Sequence, residues 1–209
     1  MRVALLSDTH GLVLPSIEEN VDAIIHAGDV GPDRDATHWM FEIFAPWAIE
    51  VERPIYMTWG NHDFIGERLP QSVWKDLPPN VYILKDETIE IGGKQVWFSP
   101  WSPLFGSWAF MKPEGGLETI YETIPLDTQI IVSHTPPYGL RDRTLSYEHV
   151  GSTALIRRMD QLPLLEMVVC GHIHEARGTR ISVGGVHVHN VSLVNEYYEM
   201  VHEPLIVEW

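Results

Sequence analysis

Short apolar runs recur along this chain, and each stops at a polar cluster. Residues 3–7, 23–26, 54–58, 130–133 and 167–170 are too short and too uniformly apolar for amphipathic helices, and they read as buried strands. Residues 34–50 have another rhythm. Trp39, Met40, Ile43, Phe44 and Trp47 recur at threes and fours, which predicts a helix that Pro46 ends or kinks. Residues 67–76 and 150–161 predict shorter helices. Strand-like segments flank Gly92-Gly93 (88–91 and 95–99) and Gly184-Gly185 (180–183 and 186–189). Paired glycines suit two-residue turns with positive φ, so these segments predict two hairpins. Residues 205–207 predict the last strand. Helices alternate with strands and hairpins add antiparallel partners, which implies a mixed α/β fold with more than one sheet.

The chain of 209 residues is 44% apolar and 21% charged, a globular composition long enough to bury a core. No repeat, linker or low-complexity stretch interrupts it, so a single domain over 1–209 is expected. Fourteen Lys and Arg stand against 29 Asp and Glu, a formal charge of −15. That balance disfavours an extended nucleic-acid surface, which needs a basic footprint, and binding to an anionic membrane. The lone Cys170 allows no internal disulfide, and no apolar run is long enough for a signal segment or a membrane span. A cytoplasmic protein is expected.

The polar clusters carry the chemistry. Five strands run into short loops holding Asp8-Thr-His10, Gly28-Asp29, Gly60-Asn61-His62-Asp63, His134 and Gly171-His172-Ile-His174. Loops at the carboxyl ends of strands converge in open α/β sheets, so residues 8 and 174 can share one site. Carboxylate, imidazole and one amide suit divalent ions of intermediate hardness, Mn²⁺, Fe, Zn²⁺ or Ni²⁺, and the absence of thiolate argues against structural zinc. Asp-x-His and His-x-His put alternate side chains on one side if the backbone is extended. Asp29 is the natural carboxylate to bridge two ions about 3.5–4 Å apart. Gly28, Gly60 and Gly171, each just before a candidate ligand, allow close backbone approach.

Together these blocks resemble the calcineurin-like metallophosphoesterase superfamily. Ser133-His-Thr-Pro-Pro, Cys170-Gly-His-Ile-His-Glu175 and His189-Asn-Val-Ser192 resemble most its small metallophosphoesterase-domain-containing branch. The resemblance implies a four-layer α/β/β/α sandwich of two mixed sheets flanked by helices. It implies one ion on Asp8, His10, Asp29 and His174 and a second on Asp29, Asn61, His134 and His172, with Mn²⁺ first in order. It also implies that His62, aided by Asp63, donates a proton while a hydroxide bridging the ions attacks phosphorus. The activity implied is a phosphodiesterase on small nucleotide-like esters. A nuclease or phosphomonoesterase of the same superfamily, or a non-catalytic metal-binding scaffold, are the alternatives.

Other polar residues have plainer readings beside functional ones. His26, inside a strand, reads as a buried histidine behind the ligands. His149, near a helix entry, and His189, ending a hairpin, are candidates for touching substrate. Arg141 is a candidate phosphate grip, with a surface ion pair through Asp142 as the equal alternative. Asn61 and His62 complete the expected substrate contacts. Residues 100–110 read as an aromatic loop, suited to packing, to a nucleobase platform or to a homo-oligomer contact.

Overall fold

The apolar runs become the centres of two sheets in the computed structural model, which describes residues 1–17 and 20–209. In the first sheet β1 (Arg2–Leu6), β2 (Ala23–His26), β3 (Ile55–Met57) and β4 (Val81–Ile83) run parallel in that order, and β13 (Leu205–Glu208) closes the edge antiparallel to β1. In the second, β6 (Lys94–Ser99), β9 (Ile130–Ser133), β10 (Met167–Cys170) and β12 (His187–Asn190) are parallel. Antiparallel β5 (Glu87–Ile91) and β11 (Gly178–Ile181) form its edges. A small parallel pair, β7 (Ser102–Pro103) and β8 (Met111–Lys112), lies apart from both.

Strand alternation explains the layers. Val3, Leu5, Ala23 and Ile25 of the first sheet pack with Val96, Phe98, Ile130, Val132 and Val169 of the second. Their neighbours Ala4, Leu6, Ile24 and Met57 point the other way, against Trp39, Met40, Phe44 and Ala48 of the helical segment. On the far side Trp97, Ile131, Val168 and Val188 meet α4 (Glu114–Tyr121) and α5 (Thr153–Met159). The result is the α/β/β/α sandwich. Among the described residues no helix is long and apolar enough to cross a membrane.

Local departures have physical reasons. Residues 36–51 stay helical past Pro46: α1 (Ala36–Trp39) widens to a π turn over Met40–Phe44 and continues as α2 (Ala45–Val51). Pro46 follows closely on the π turn, where the helix passes from one hydrogen-bond frame to the next. The wide turn shifts the helical frame, and Ile43 faces solvent instead of the core. The first hairpin turns on Gly92 and Gly93, both at positive φ. The second turns more widely over Ser182–Gly185, and only Gly185 is left-handed there. The predicted helix over 67–76 splits into α3 (Phe64–Arg68) and a 3₁₀ turn, Gln71–Asp76, on either side of Pro70.

Candidate metal centre

All the strand-end loops open on the same edge of the sandwich. Asp8 and His10 follow β1, Asp29 follows β2, Asn61 and His62 follow β3, His134 follows β9, and His172 and His174 follow β10. Asp8, His10, Asp29 and His172 all adopt positive φ. The loops are therefore coiled rather than extended, and tertiary folding gathers the side chains where an extended alternation was expected.

The ligand atoms converge tightly. His174 Nε2 stands 3.5 Å from Asp8 Oδ1 and 3.2 Å from His10 Nε2, and His10 Nε2 is 3.8 Å from Asp29 Oδ2. On the other side His134 Nε2 is 3.3 Å from the same Asp29 oxygen and 2.9 Å from Asn61 Oδ1. Asp29 therefore lies between two groups of donors, as a bridging carboxylate would. The His172 ring lies 5.0 Å from the His134 ring, and its backbone N–H donates to Asp8. His62 also brings a ring nitrogen within reach of His10 and Asp29.

These donors fit divalent ions on three grounds. Asp8 and Asp29 are fully buried, and among the described residues no Lys or Arg pairs with either. Burial alone would raise the Asp8 carboxyl. The hydrogen bond and charge of His174, with the charge of His134, outweigh it and hold Asp8 well below the usual range. Asp29 is likewise held low, with burial opposed chiefly by His134. His134 itself is pushed up to about 9, because the burial cost is outweighed by Asp29, Asp8 and the Ala27 carbonyl together. Burial drives His172 the other way, to about 3, leaving a neutral imidazole ready to donate a lone pair. The two buried carboxylates thus draw positive charge into the site, and among the described residues only imidazoles answer them.

The second ground is ring orientation. His134 Nδ1 faces the Ala27 carbonyl (2.9 Å) and His174 Nδ1 the Asn195 carbonyl (3.1 Å). Each carbonyl holds the Nδ1 side of its ring, and Nε2 is aimed inward. The third is space. A Cβ on Gly60 would stand 2.2 Å from Asp29 Oδ1, and one on Gly171 would stand 2.1 Å from Asp8 Oδ2. Glycine alone lets those backbones approach the carboxylates.

Behind the ligands, Asn190 fastens the His172–His174 loop by donating to the Gly171 and Ile173 carbonyls. His26 joins the first two loops. Its Nδ1 accepts the Gly28 N–H, and its Nε2 lies 3.0 Å from the Thr9 hydroxyl.

Other expected site residues fall elsewhere. Asp63 does not reach the His62 ring. Its carboxylate accepts the backbone N–H groups of Val30, Gly31 and Gly60, which ties two loops together. The partner of His62 is Asp33, 2.8 Å from Nδ1, a residue that no motif in the sequence singles out. His149 and Arg141 line a neighbouring cleft and not the cavity at the cluster. Asp142 forms no surface ion pair with an arginine. It is buried, capped by the Gly139 and Gly151 amides and by His149 at 2.6 Å. The Arg141 guanidinium donates to the Thr179 carbonyl, and His189 pairs with the Thr179 hydroxyl.

A profile of the calcineurin-like phosphoesterases matches residues 1–176, the span that holds every candidate ligand. The chain belongs to this family. As a member it is a metal-dependent phosphoric ester hydrolase, and the Asp/His cluster is where such ions would be held. Metallophosphoesterase domain-containing protein 1 of Homo sapiens is 24% identical over 231 residues, covering 99% of this chain and 70% of that protein. Among solved structures, a dimetal phosphatase from Danio rerio matches with a TM-score of 0.55 at 11% identity, covering 90% of this chain and 86% of the other. The NAD nucleotidase of Haemophilus influenzae matches with a TM-score of 0.50 at 12% identity, covering 91% and 44%. At these identities the likeness is one of fold.

Proposed function

We propose that this calcineurin-like phosphoesterase is a phosphodiesterase acting on small, nucleotide-like esters. In this reading Asp8, His10, Asp29 and His174 hold one ion, and Asp29, Asn61, His134 and His172 hold the other. Mn²⁺ is the ion proposed, first among the divalent ions of intermediate hardness that imidazole, carboxylate and one amide without thiolate would suit.

One observation carries the preference for diesters. The cavity beside the cluster, about 600 Å³, is lined by Asp29, Asn61, His62, His172 and His174 at its floor and by Phe105, Trp108 and Tyr198 on its walls. Glu175 and Glu196 also line it, and among the described residues no Lys or Arg does. A phosphomonoester brings two negative charges and meets these carboxylates without a compensating side chain. A diester brings one negative charge and two organic substituents for the apolar walls.

Bound ions supply positive charge to the phosphoryl oxygens and acidity to a coordinated water. The chain's own residues do the rest. His62 has Nδ1 engaged by Asp33, which leaves Nε2 as the nitrogen free to protonate the leaving oxygen. The Trp108 ring, 4.3 Å from the His62 ring, limits its tilt, and the His62 backbone N–H holds Asp29 Oδ1 at 2.8 Å.

The test compares bis-p-nitrophenyl phosphate with p-nitrophenyl phosphate under Mn²⁺, together with metal analysis of the purified protein. A diester preference of at least about tenfold in kcat/KM, equal to about 1.4 kcal/mol, is expected. Equal turnover, or preference for the monoester, would overturn the reading.

A further inference from the structure

The cavity wall is sorted by chemistry. Phe105 and Trp108 come from the 100–110 loop and Tyr198 from the segment between β12 and β13, and all three expose ring surface. Phe105 lies 5.3 Å from the His172 ring, and Tyr198 lies 4.8 Å from the His10 ring and 5.1 Å from the His174 ring. Ring surface therefore begins where the candidate ligands end. Two carboxylates share this wall. Glu175 is engaged, since its Oε1 accepts the Leu145 amide at 3.0 Å. Glu196 is half-buried, and among the described residues its carboxylate has no hydrogen-bond or ion-pair partner. A half-buried carboxylate beside aromatic walls, in a cavity that no Lys or Arg lines among the described residues, is an acceptor waiting for a donor.

We infer that this wall selects substrates by the base they carry. Glu196 accepts a hydrogen bond from the exocyclic amino group of a heteroaromatic base seated on the Trp108 and Tyr198 rings. The inference rests on the phosphodiesterase reading and adds its specificity-determining residues. Stacking on aromatic side chains is tolerant of which base is present, so the rings alone do not discriminate. The carboxylate does. An amino group donates to it, whereas a keto oxygen in the same place sets lone pair against lone pair. Cytosine and uracil differ there while keeping nearly the same shape. A site built around one such hydrogen bond rejects the analogue that cannot make it.

The experiment uses the full chain with Mn²⁺ and cyclic phosphodiesters of cytidine and uridine with the same phosphate ring, with bis-p-nitrophenyl phosphate alongside. The cytidine ester is expected to be favoured by at least about fivefold in kcat/KM. Glu196→Gln should bring the ratio within about twofold, because an amide offers an acceptor to one base and a donor to the other. Glu175→Gln should keep the wild-type ratio. Calorimetric titration of the metal-free chain with cytidine and uridine should give the same ranking without turnover. A wild-type ratio near unity while bis-p-nitrophenyl phosphate is hydrolysed would overturn the inference and leave the phosphodiesterase reading standing. So would a preference that survives Glu196→Gln. If no diester is hydrolysed at all, the phosphodiesterase reading fails and this inference falls with it.

Discussion

His62 Nδ1 stands 2.8 Å from a carboxylate oxygen of Asp33, four residues past Asp29 in a different strand-end loop. The imidazole is largely buried while Asp33 is mostly exposed, so the contact fixes the ring from its solvent side. Holding the N–H at Nδ1 sets which nitrogen faces the cavity.

This contact predicts a kinetic effect without a folding effect. Asp33→Asn keeps the shape but removes the charge that orients the ring. We expect kcat on bis-p-nitrophenyl phosphate to fall about 10–100-fold, as when a group that orients a ligand is removed. KM and the thermal midpoint should change little. His62→Ala should cost more, about 10²–10⁴-fold, the usual contribution of a general acid. Unchanged kcat in Asp33→Asn would show that the ring needs no such partner.

Asp63 predicts the reverse pattern. Its carboxylate is buried and holds the amides of Val30, Gly31 and Gly60, and removing it leaves three buried donors unpaired. Asp63→Ala should therefore destabilise the fold by about 3 kcal/mol or more, at roughly 1–3 kcal/mol for each unsatisfied group. Denaturant titration of the metal-free protein measures this directly. A change below about 1 kcal/mol would mean that water takes over the acceptor role.

The glycines separate packing from propensity. A Cβ at Gly60 would meet Asp29 Oδ1 at 2.2 Å and His134 Cε1 at 2.6 Å, so Gly60→Ala must displace two candidate ligands. We expect metal affinity to fall at least about tenfold in calorimetric titration with Mn²⁺, by analogy with disturbance around metal ligands. Gly115, in α4, has an ordinary φ, and a Cβ added there would find nothing within 4 Å. Gly115→Ala should instead stabilise the protein by about 0.5–1 kcal/mol.

These contrasts show which features the sequence carries locally. The runs that become β1, β2, β3, β9 and β10 are legible because a strand buried on both faces is apolar without alternation. The ligands are legible because each stands where such a run stops. Asp33 is not, because its partner is 29 residues away and nothing in its neighbours marks the contact. Asp63 misleads for the opposite reason. It is next to His62 in the chain, yet its side chain turns inward to the amides of other loops. α4 hides behind Gly115 and Gly116, which weaken its helical signal, and β4 is only three residues long. The exposure of Ile43 follows from a π turn that no periodicity of 3.6 anticipates.

The last prediction concerns pH. His26 is buried, its Nδ1 accepts the Gly28 N–H, and its Nε2 is left to donate to the Thr9 hydroxyl, which itself donates to the Val30 carbonyl. That arrangement needs a neutral ring. Burial pushes the pKa down from 6.5 to about 4, against the pull of Asp8 and Asp29. Because the folded value lies below the unfolded one, protons favour the unfolded chain. The contribution of His26 is fully present above pH 6.5, declines as the pH falls from 6.5 towards 4, and levels off below that. Its full size is about 3 kcal/mol, at 1.36 kcal/mol for each pH unit of displacement. His189, lowered to about 4 by burial and by His187, adds a smaller slope in the same window because it is less enclosed. The measurement is denaturant unfolding at several pH values with a chelator present throughout, so that metal loss does not contribute. His26→Gln should begin less stable at pH 7, since it loses the paired ring, and then lose less stability than the wild type between pH 6.5 and 4. Parallel pH profiles for the two proteins would show that His26 is not the group whose protonation loosens the loops of Asp8 and Asp29.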